Sequence, residues 1–439
     1  MQTVADVFQW MDTTCSNQIK PGLERMDWML AQLGNPQHRS KFIHIAGTNG
    51  KGSTAKMIAS VLEEAKYAVG LFVSPAIVNW NERIQVNQTP ISESSFVYWA
   101  NHLRPYIEEM KNLALGTVSQ FEFWTLIALV YFAYEACPGF VVWETGLGGR
   151  LDATNVVHPL ISVITHIGWD HQLYLGESIS EIASEKAGII KAGVPVVCGS
   201  HHTEALAVVQ KKSKQKKSNL YVIDQAYNIN VTKESGDGQM FDFHSVYRSL
   251  PDLFIPLVGK HQLDNAGTAL MTLEILRLQY ATIIDDVDIK NGLTKSVWPA
   301  RLEKIATRPI VLLDGAHNLT GFQALSQTIA ELYHYNRLYL VIAMMADKDV
   351  EHILTPMKPL IDFVIATEVT GMERSLSSTG LADRMSSLIH KDQISIVNQP
   401  VKALQEAMNR ADENDLILCT GSLYFVSEIR QHLKRYSTA

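Results

Sequence analysis

The stretch that most limits what this chain can become is residues 42–66. A short apolar run, Phe42-Ile-His-Ile-Ala46, passes into Gly47-Thr-Asn-Gly-Lys-Gly-Ser53, and residues 54–66 then set Met57, Ile58, Val61, Leu62 and Ala65 on one helical face. Strand, glycine loop and helix in that order predict a tight turn whose backbone N–H groups close around phosphate oxygens. The helix N-terminus adds the positive end of its dipole. Lys51 then reaches the β/γ-phosphates, and Ser53 or Thr54 approaches a phosphate or its metal. A glycine-rich turn that only joins strand to helix is the plainer alternative. The loop also departs from the strict G-x-x-x-x-G-K-[ST] form: it is shorter, and Gly52 separates Lys51 from Ser53.

Apolar strand-like runs and helical patterns alternate along most of the chain. After the first strand they fall at 68–73, 140–143, 161–165 and 194–198, and later at 310–313, 338–343, 361–366, 394–397 and 416–419. This rhythm predicts α/β layering around mostly parallel sheets. The 439 residues, at roughly 150 per domain, make two or three domains the expectation. The pattern stops and restarts at Ser296-Val-Trp-Pro-Ala-Arg301, around Pro299. We therefore expect a P-loop-type domain with a mostly parallel sheet over 1–297, followed by a smaller Rossmann-like α/β domain over 298–439.

Charge and cysteine usage narrow the function. Acidic residues outnumber basic ones, 45 to 38, and the formal net charge of −7 argues against a protein that coats nucleic acid. The run Lys211-Lys-Ser-Lys-Gln-Lys-Lys217 reads as a solvated helix end. Cys15, Cys137, Cys198 and Cys419 form no C-x-x-C, which suits a reducing cytoplasm rather than a disulfide framework or a zinc site. No secretory leader is visible in Met1-Gln-Thr-Val-Ala-Asp6. The most apolar window, 121–143, carries Glu122, Glu135 and Pro138-Gly139, so it reads as a buried helix and strand rather than a membrane span.

Three potential metal donors stand at predicted strand ends, where doubly wound sheets place their ligands. Ser74 follows 68–73, Glu144 follows 140–143, and His171 lies beyond 161–165. Each also has an ordinary reading: a turn serine before Pro75, a glutamate closing a glycine-rich turn, a surface histidine. Lys186 interrupts the stripe of Ile179, Ile182, Ala183 and Ile190 in a helix expected over 179–190. Burial there would lower its proton affinity. The alternative is a stem lying along the stripe with its head in water.

The motifs HIAGTNGKGST (44–54), VGLFVSPAIVNWNERI (69–84), GLGGRLDATN (146–155), SEKAGIIK (184–191), WPARLE (298–303), DGAHN (314–318), ADKD (346–349) and TGSLY (420–424) occur in this order. Together they resemble the folylpolyglutamate synthase and dihydrofolate synthase branch of the Mur-type ATP-dependent amide ligases, from Gly22 to Tyr424. GGRLDATN looks like the bifunctional bacterial members; a monofunctional folylpolyglutamate synthase is the alternative.

The resemblance implies an enzyme that joins L-glutamate to dihydropteroate and to reduced folates through an acyl phosphate, using ATP and two magnesium ions. It implies a nucleotide site of Gly47, Thr48, Asn49, Gly50, Lys51, Gly52 and Ser53, with Asn265, Arg301 and Asp314 on the adenosine and phosphate side. Ser74, Glu144 and His171 match the family's magnesium ligands. Lys186 matches a lysine carried as its carbamate, and His317 is expected to orient phosphate or amino acid. Pterin contacts are expected from Gly22 and Leu23, from Phe121, Glu122 and Phe123, and from Leu151, Asp152 and Ala153. Ser422 and Tyr424 are candidates for the glutamate side. On residue pattern alone, Asn265 reads as a helix N-cap, Asp314 as a turn residue, and the pterin set as core aromatics with a turn aspartate.

Small-molecule partners and a monomer are expected, without nucleic acid or membrane. Two rivals are less compatible with the residues. A cell-wall Mur ligase would carry an N-terminal nucleotide-sugar domain, and only about forty residues precede the loop. A non-catalytic, nucleotide-gated interaction protein would have little reason to keep Glu144, His171 and Lys186 together.

Overall fold

The computed structural model describes residues 1–437, with side chains to 433; residues 438 and 439 of the expected second domain lie outside the described residues. Strands β1 (Phe42–Ala46), β2 (Val69–Phe72), β3 (Ile84–Val86), β4 (Thr89–Pro90), β5 (Phe140–Glu144), β6 (Ile161–Ile164), β7 (Val196–Cys198) and β8 (Leu220–Val222) form one sheet. Its order is β4-β3-β2-β5-β1-β6-β7-β8, parallel from β2 to β8, with β3 and β4 antiparallel at one edge. The expected α/β class is therefore present.

Residues of β1, β2, β5 and β6 are buried without exception, which is why they read as unbroken apolar runs. Alternate residues serve opposite faces. Phe42, Phe72, Val141 and Trp143 enter the core under helices Val4–Thr14, Glu24–Gln32, Glu93–Met110 and Gln120–Tyr131. Ile43, Ile45, Leu71 and Val142 enter the core under helices Lys51–Glu64 and Lys260–Gln279. The window 121–143 is a buried helix, a π turn and then β5, as its pattern predicted, and none of the described helices is long and apolar enough to cross a membrane. Residues 211–216 close the helix Thr203–Lys216.

The alternation missed one unit. Strands β9 (Tyr227–Ser235), β10 (Gly238–Ser245) and β11 (Ser249–Ile255) form a three-stranded antiparallel sheet. Only Phe241, Phe243, Leu250, Leu253, Ile255 and Tyr227 reach the core, so the segment lacks the apolar density of the parallel strands.

A six-stranded sheet follows: β12 (Glu303–Thr307), β13 (Ile310–Leu313), β14 (Leu338–Ile342), β15 (Phe363–Ala366), β16 (Ile394–Ile396) and β17 (Leu416–Thr420). Its order is β12-β13-β17-β14-β15-β16, parallel except for β12. The carboxyl ends of β1, β5 and β7 share one cleft with the carboxyl end of β13, since Gly47, Glu144, Gly199 and Asp314 all line it.

Candidate active site

The glycine loop is held from beneath. Thr48 N donates to His166 O at 2.7 Å, and Thr165 Oγ1 donates to Asn49 O at 2.8 Å. Thr48 Oγ1 donates to Gly168 O at 2.9 Å and accepts from Gly168 N at 3.1 Å. Gly50 has φ +86°, and a Cβ there would lie 2.1 Å from Asn265 Oδ1, so glycine alone closes this turn against helix 260–279. The helix begins at Lys51, three residues earlier than its apolar stripe suggested. Its first bond runs from Thr54 N to Gly50 O. The N–H groups of Lys51, Gly52 and Ser53 thus have no helical acceptor, which is the donor set an anion needs.

Two lysines meet on one carbonyl of that loop. Lys51 Nζ donates to Gly47 O at 3.1 Å and to Thr48 O at 3.3 Å, while Lys186 Nζ donates to Gly47 O at 2.9 Å. Lys186 is only 3% exposed, at the last position of helix Ile179–Lys186, before a 3-10 turn at 187–189. Its head is therefore not in water. Burial, assisted by the nearby Lys51 charge, pulls its amine down to about 7.

Glu144 ends β5 opposite Ile45, beside the loop. Its carboxylate is buried and accepts one long bond, from Ser74 N at 3.4 Å. Burial pushes it up to about 7, against the pull of Lys51, the Ser74 N–H and Arg301. Ser53 Oγ, also on the cleft wall, is buried without a hydrogen-bond partner. An under-satisfied carboxylate and an unpaired hydroxyl on one cleft fit a hard, oxygen-seeking cation. His171 lines the same cleft and is held neutral, down to about 4, chiefly by desolvation. Among the described residues no three His, Cys, Asp or Glu side chains converge as a metal cluster. Magnesium at nucleotide sites is generally held by one or two carboxylates together with substrate phosphates, so such a cluster is not required.

The opposite wall comes from 301–325. Arg301 and His317 line the cleft, and His317 Nδ1 lies 2.8 Å from Gly315 O. Asp314 follows β13, but both its oxygens are engaged, by Leu302 N at 2.9 Å and Ala316 N at 2.8 Å. Asp314 thus shapes the turn while still lining the cleft, one N–H on each oxygen. Asn265 is not an N-cap: the helix starts at Lys260 and is capped by Gly259. It is buried against Gly50, held by Gln262 Oε1 at 3.0 Å, and faces the cleft.

The three expected pterin stretches do meet. Gly22 N lies 3.4 Å from Leu151 O, and Arg25 joins Lys20 O (2.7 Å) to Glu122 (3.0 Å). Within this patch the side chains are engaged to different degrees. Phe123 is 0% exposed, packed among Trp10, Phe96 and Trp124, and offers no ring face. Glu122 is taken up by Arg25 and by a capping box with Ser119. Asp152 accepts from Leu147 N (2.7 Å), Thr154 N (3.0 Å) and Thr154 Oγ1 (2.5 Å), so it holds the 147–154 turn. Ala153 is buried, and Leu23 caps helix Glu24–Gln32. Half-buried Phe121, against Gly146 and Phe72, is the aromatic left beside the cleft. Ser422 and Tyr424 flank the wall without lining it; Leu423 between them does.

Sequence reasoning missed Asp170, His166, Asn318 and Lys348. The signals were present: Asp170 directly precedes His171, and Lys348 sits in the ADKD motif. Their importance depends on contacts across the cleft, which spacing along the chain does not reveal.

The Mur ligase middle domain matches residues 116–273, and the Mur ligase glutamate ligase domain matches 300–423. The chain is 36% identical to the dihydrofolate synthase/folylpolyglutamate synthase of Bacillus subtilis over 429 residues, covering 98% of this chain and 99% of that one. It is 35% identical to the folylpolyglutamate synthase of Lacticaseibacillus casei, covering 92% of each. The Mycobacterium tuberculosis folylpolyglutamate synthase solved with ADP superposes with a TM-score of 0.91 at 30% identity, covering 98% of both chains. With the fold, the cleft and these likenesses together, the chain belongs to the dihydrofolate synthase/folylpolyglutamate synthase family of Mur-type ligases.

Proposed function

We propose that this protein is an ATP-dependent ligase that adds L-glutamate to dihydropteroate and to reduced folates. The observation that carries the reading is the convergence of the phosphate loop, two loop-bound lysines and an under-satisfied glutamate on one wall, facing Arg301 and His317 on the other. The N–H groups of Lys51–Ser53 hold the nucleotide's phosphates, and Lys51 stabilises charge on the transferring γ-phosphoryl group. That group passes to the substrate carboxylate with release of ADP. The amine of glutamate then attacks the acyl phosphate, forming the amide and releasing phosphate. Asn265, against Gly50, sits where an adenine edge is read, and Arg301 brings a cationic fork to the phosphates.

Glu144, with Ser74 and His171, would hold magnesium, two ions in the full reading, which when bound neutralises triphosphate charge. Lys186, neutral at mildly alkaline pH, can take up carbon dioxide as a carbamate and so present an anion to that site. His317 orients phosphate or amino acid. Phe121, Leu151 and Gly22 border the pterin; Ser422 and Tyr424 lie on the glutamate side. Residues 1–297 and 298–439 act as two domains that exclude water when closed. No covalent protein intermediate is involved, so positioning and electrostatics supply most of the rate.

The test is ADP release by purified protein with ATP, magnesium and L-glutamate, given dihydropteroate or a reduced folate separately. Turnover with each supports both activities. Turnover with the reduced folate alone leaves a folylpolyglutamate synthase, and ADP release independent of either acceptor refutes the reading.

A further inference from the structure

Asp170 belongs to the loop after β6, and that loop is fastened to the phosphate loop through the Thr48–Gly168 and Thr48–His166 bonds. Its side chain is 7% exposed and points the other way, into residues that follow β13 and β14. Asp170 Oδ1 accepts from Lys348 Nζ at 2.8 Å, and Oδ2 accepts from Asn318 Nδ2 at 2.9 Å. His317 Nε2 lies 3.6 Å from the same Oδ2. Asn318 also exchanges two amide bonds with Asn49 of the phosphate loop, each 3.1 Å, and Asn49 Nδ2 donates to Thr320 Oγ1 at 2.8 Å. Asn318 in turn caps helix Leu319–Leu332 through Gly321 N at 2.9 Å.

One buried carboxylate therefore ties the second sheet's cleft residues to the loop expected to carry phosphate. We propose that Asp170 is a positioning residue: it clasps Lys348, Asn318 and His317 against the phosphate loop, so that nucleotide on Asn49's side sets the opposite wall for the amide-forming step. The proposal deepens the ligase reading and rests on it for its kinetic consequence. The geometry makes the charge specific. Lys348 and Asn318 donate to different oxygens, and an amide at 170 offers one acceptor, leaving one donor facing a donor.

The experiment compares Asp170→Asn, Lys348→Met and the double variant with the wild-type chain. Affinity for a non-hydrolysable ATP analogue should stay within about threefold, since the N–H donors of the loop are untouched, while kcat falls about ten- to a hundredfold. The double variant should be no worse than the poorer single one, because both break the same clasp. Hydrogen exchange gives a readout that needs no turnover: the analogue should protect residues 318–325 in the wild type and in neither single variant. Additive kinetic losses, a kcat within about twofold of wild type, or equal protection in Asp170→Asn would overturn the clasp. Absent glutamate ligation with the protection pattern intact would instead count against the ligase reading and leave the clasp standing.

Discussion

Lys186→Met is the most informative single substitution, because the wild-type amine is costly to bury. Its pKa falls from an ordinary 10.5 to about 7 in the fold. At about 1.36 kcal/mol per unit, the protonated form carries a penalty of about 5 kcal/mol. The sign follows from proton counting. Between pH 7 and 10.5 the unfolded chain binds this proton and the folded chain does not, so stability rises with pH across that window. The penalty is complete below about pH 7 and vanishes near 10.5. Methionine matches the stem without the charge and gives up one bond, to Gly47 O, worth about 1 kcal/mol. The variant should therefore be about 4 kcal/mol more stable than wild type at pH 6, with the gap shrinking steadily by pH 9.5, yet it should lose turnover. Urea denaturation of both proteins at several pH values in carbonate-free buffer measures the gap. Parallel stability curves would mean that the amine keeps an ordinary proton affinity, and the argument for a neutral, carbamate-forming lysine would fail. Partial rescue of turnover by a short carboxylic acid is the complementary expectation.

Lys51→Ala should abolish ADP release while circular dichroism and melting temperature stay near wild type, because only bonds to two loop carbonyls are lost; near-normal turnover would remove the phosphate-loop assignment. Glu144→Gln should lose magnesium-dependent activity yet stabilise the metal-free protein by about 3 kcal/mol at pH 8. A carboxylate raised from 4.5 to about 7 contributes stability that is present at low pH and lost as pH rises through 7, so no gain should appear at pH 4. Asp152→Ala strands the donors of Leu147 and Thr154, and should cost about 1–3 kcal/mol of stability. Loosening that turn should also lower dihydropteroate use about tenfold, read from kcat/KM with ATP saturating; an unchanged value would place the pterin elsewhere.

What the sequence disclosed and what it hid separate along physical lines. The parallel strands were legible because each is buried on both faces, and the phosphate loop because its glycines, lysine and helix are contiguous. The hairpin sheet at 227–255 was not, since β9 leaves Asn228, Asn230, Thr232, Lys233 and Glu234 exposed on both faces, and its register comes from pairing rather than from hydropathy. The burial of Lys186 was open on sequence alone, as a stem along an apolar stripe fits either head position; only its neighbours decide. Asp170 and Lys348 are 178 positions apart and meet only because two sheets aim their carboxyl ends into one cleft.

Residue type also conceals which acidic groups remain available. The cleft region buries Glu144, Asp152, Asp170 and Asp314, and each read from sequence is simply an acid near a glycine turn. In the fold they divide by what already satisfies them. Asp152 has three internal donors, Asp314 two backbone N–H groups, and Asp170 an ammonium, an amide and the His171 N–H. Glu144 has one bond, at 3.4 Å. A buried carboxylate must be hydrogen-bonded, protonated or bound to a cation, and the other three each accept at least two bonds. Of the four, Glu144 is the least satisfied, and burial pushes its carboxyl up to about 7.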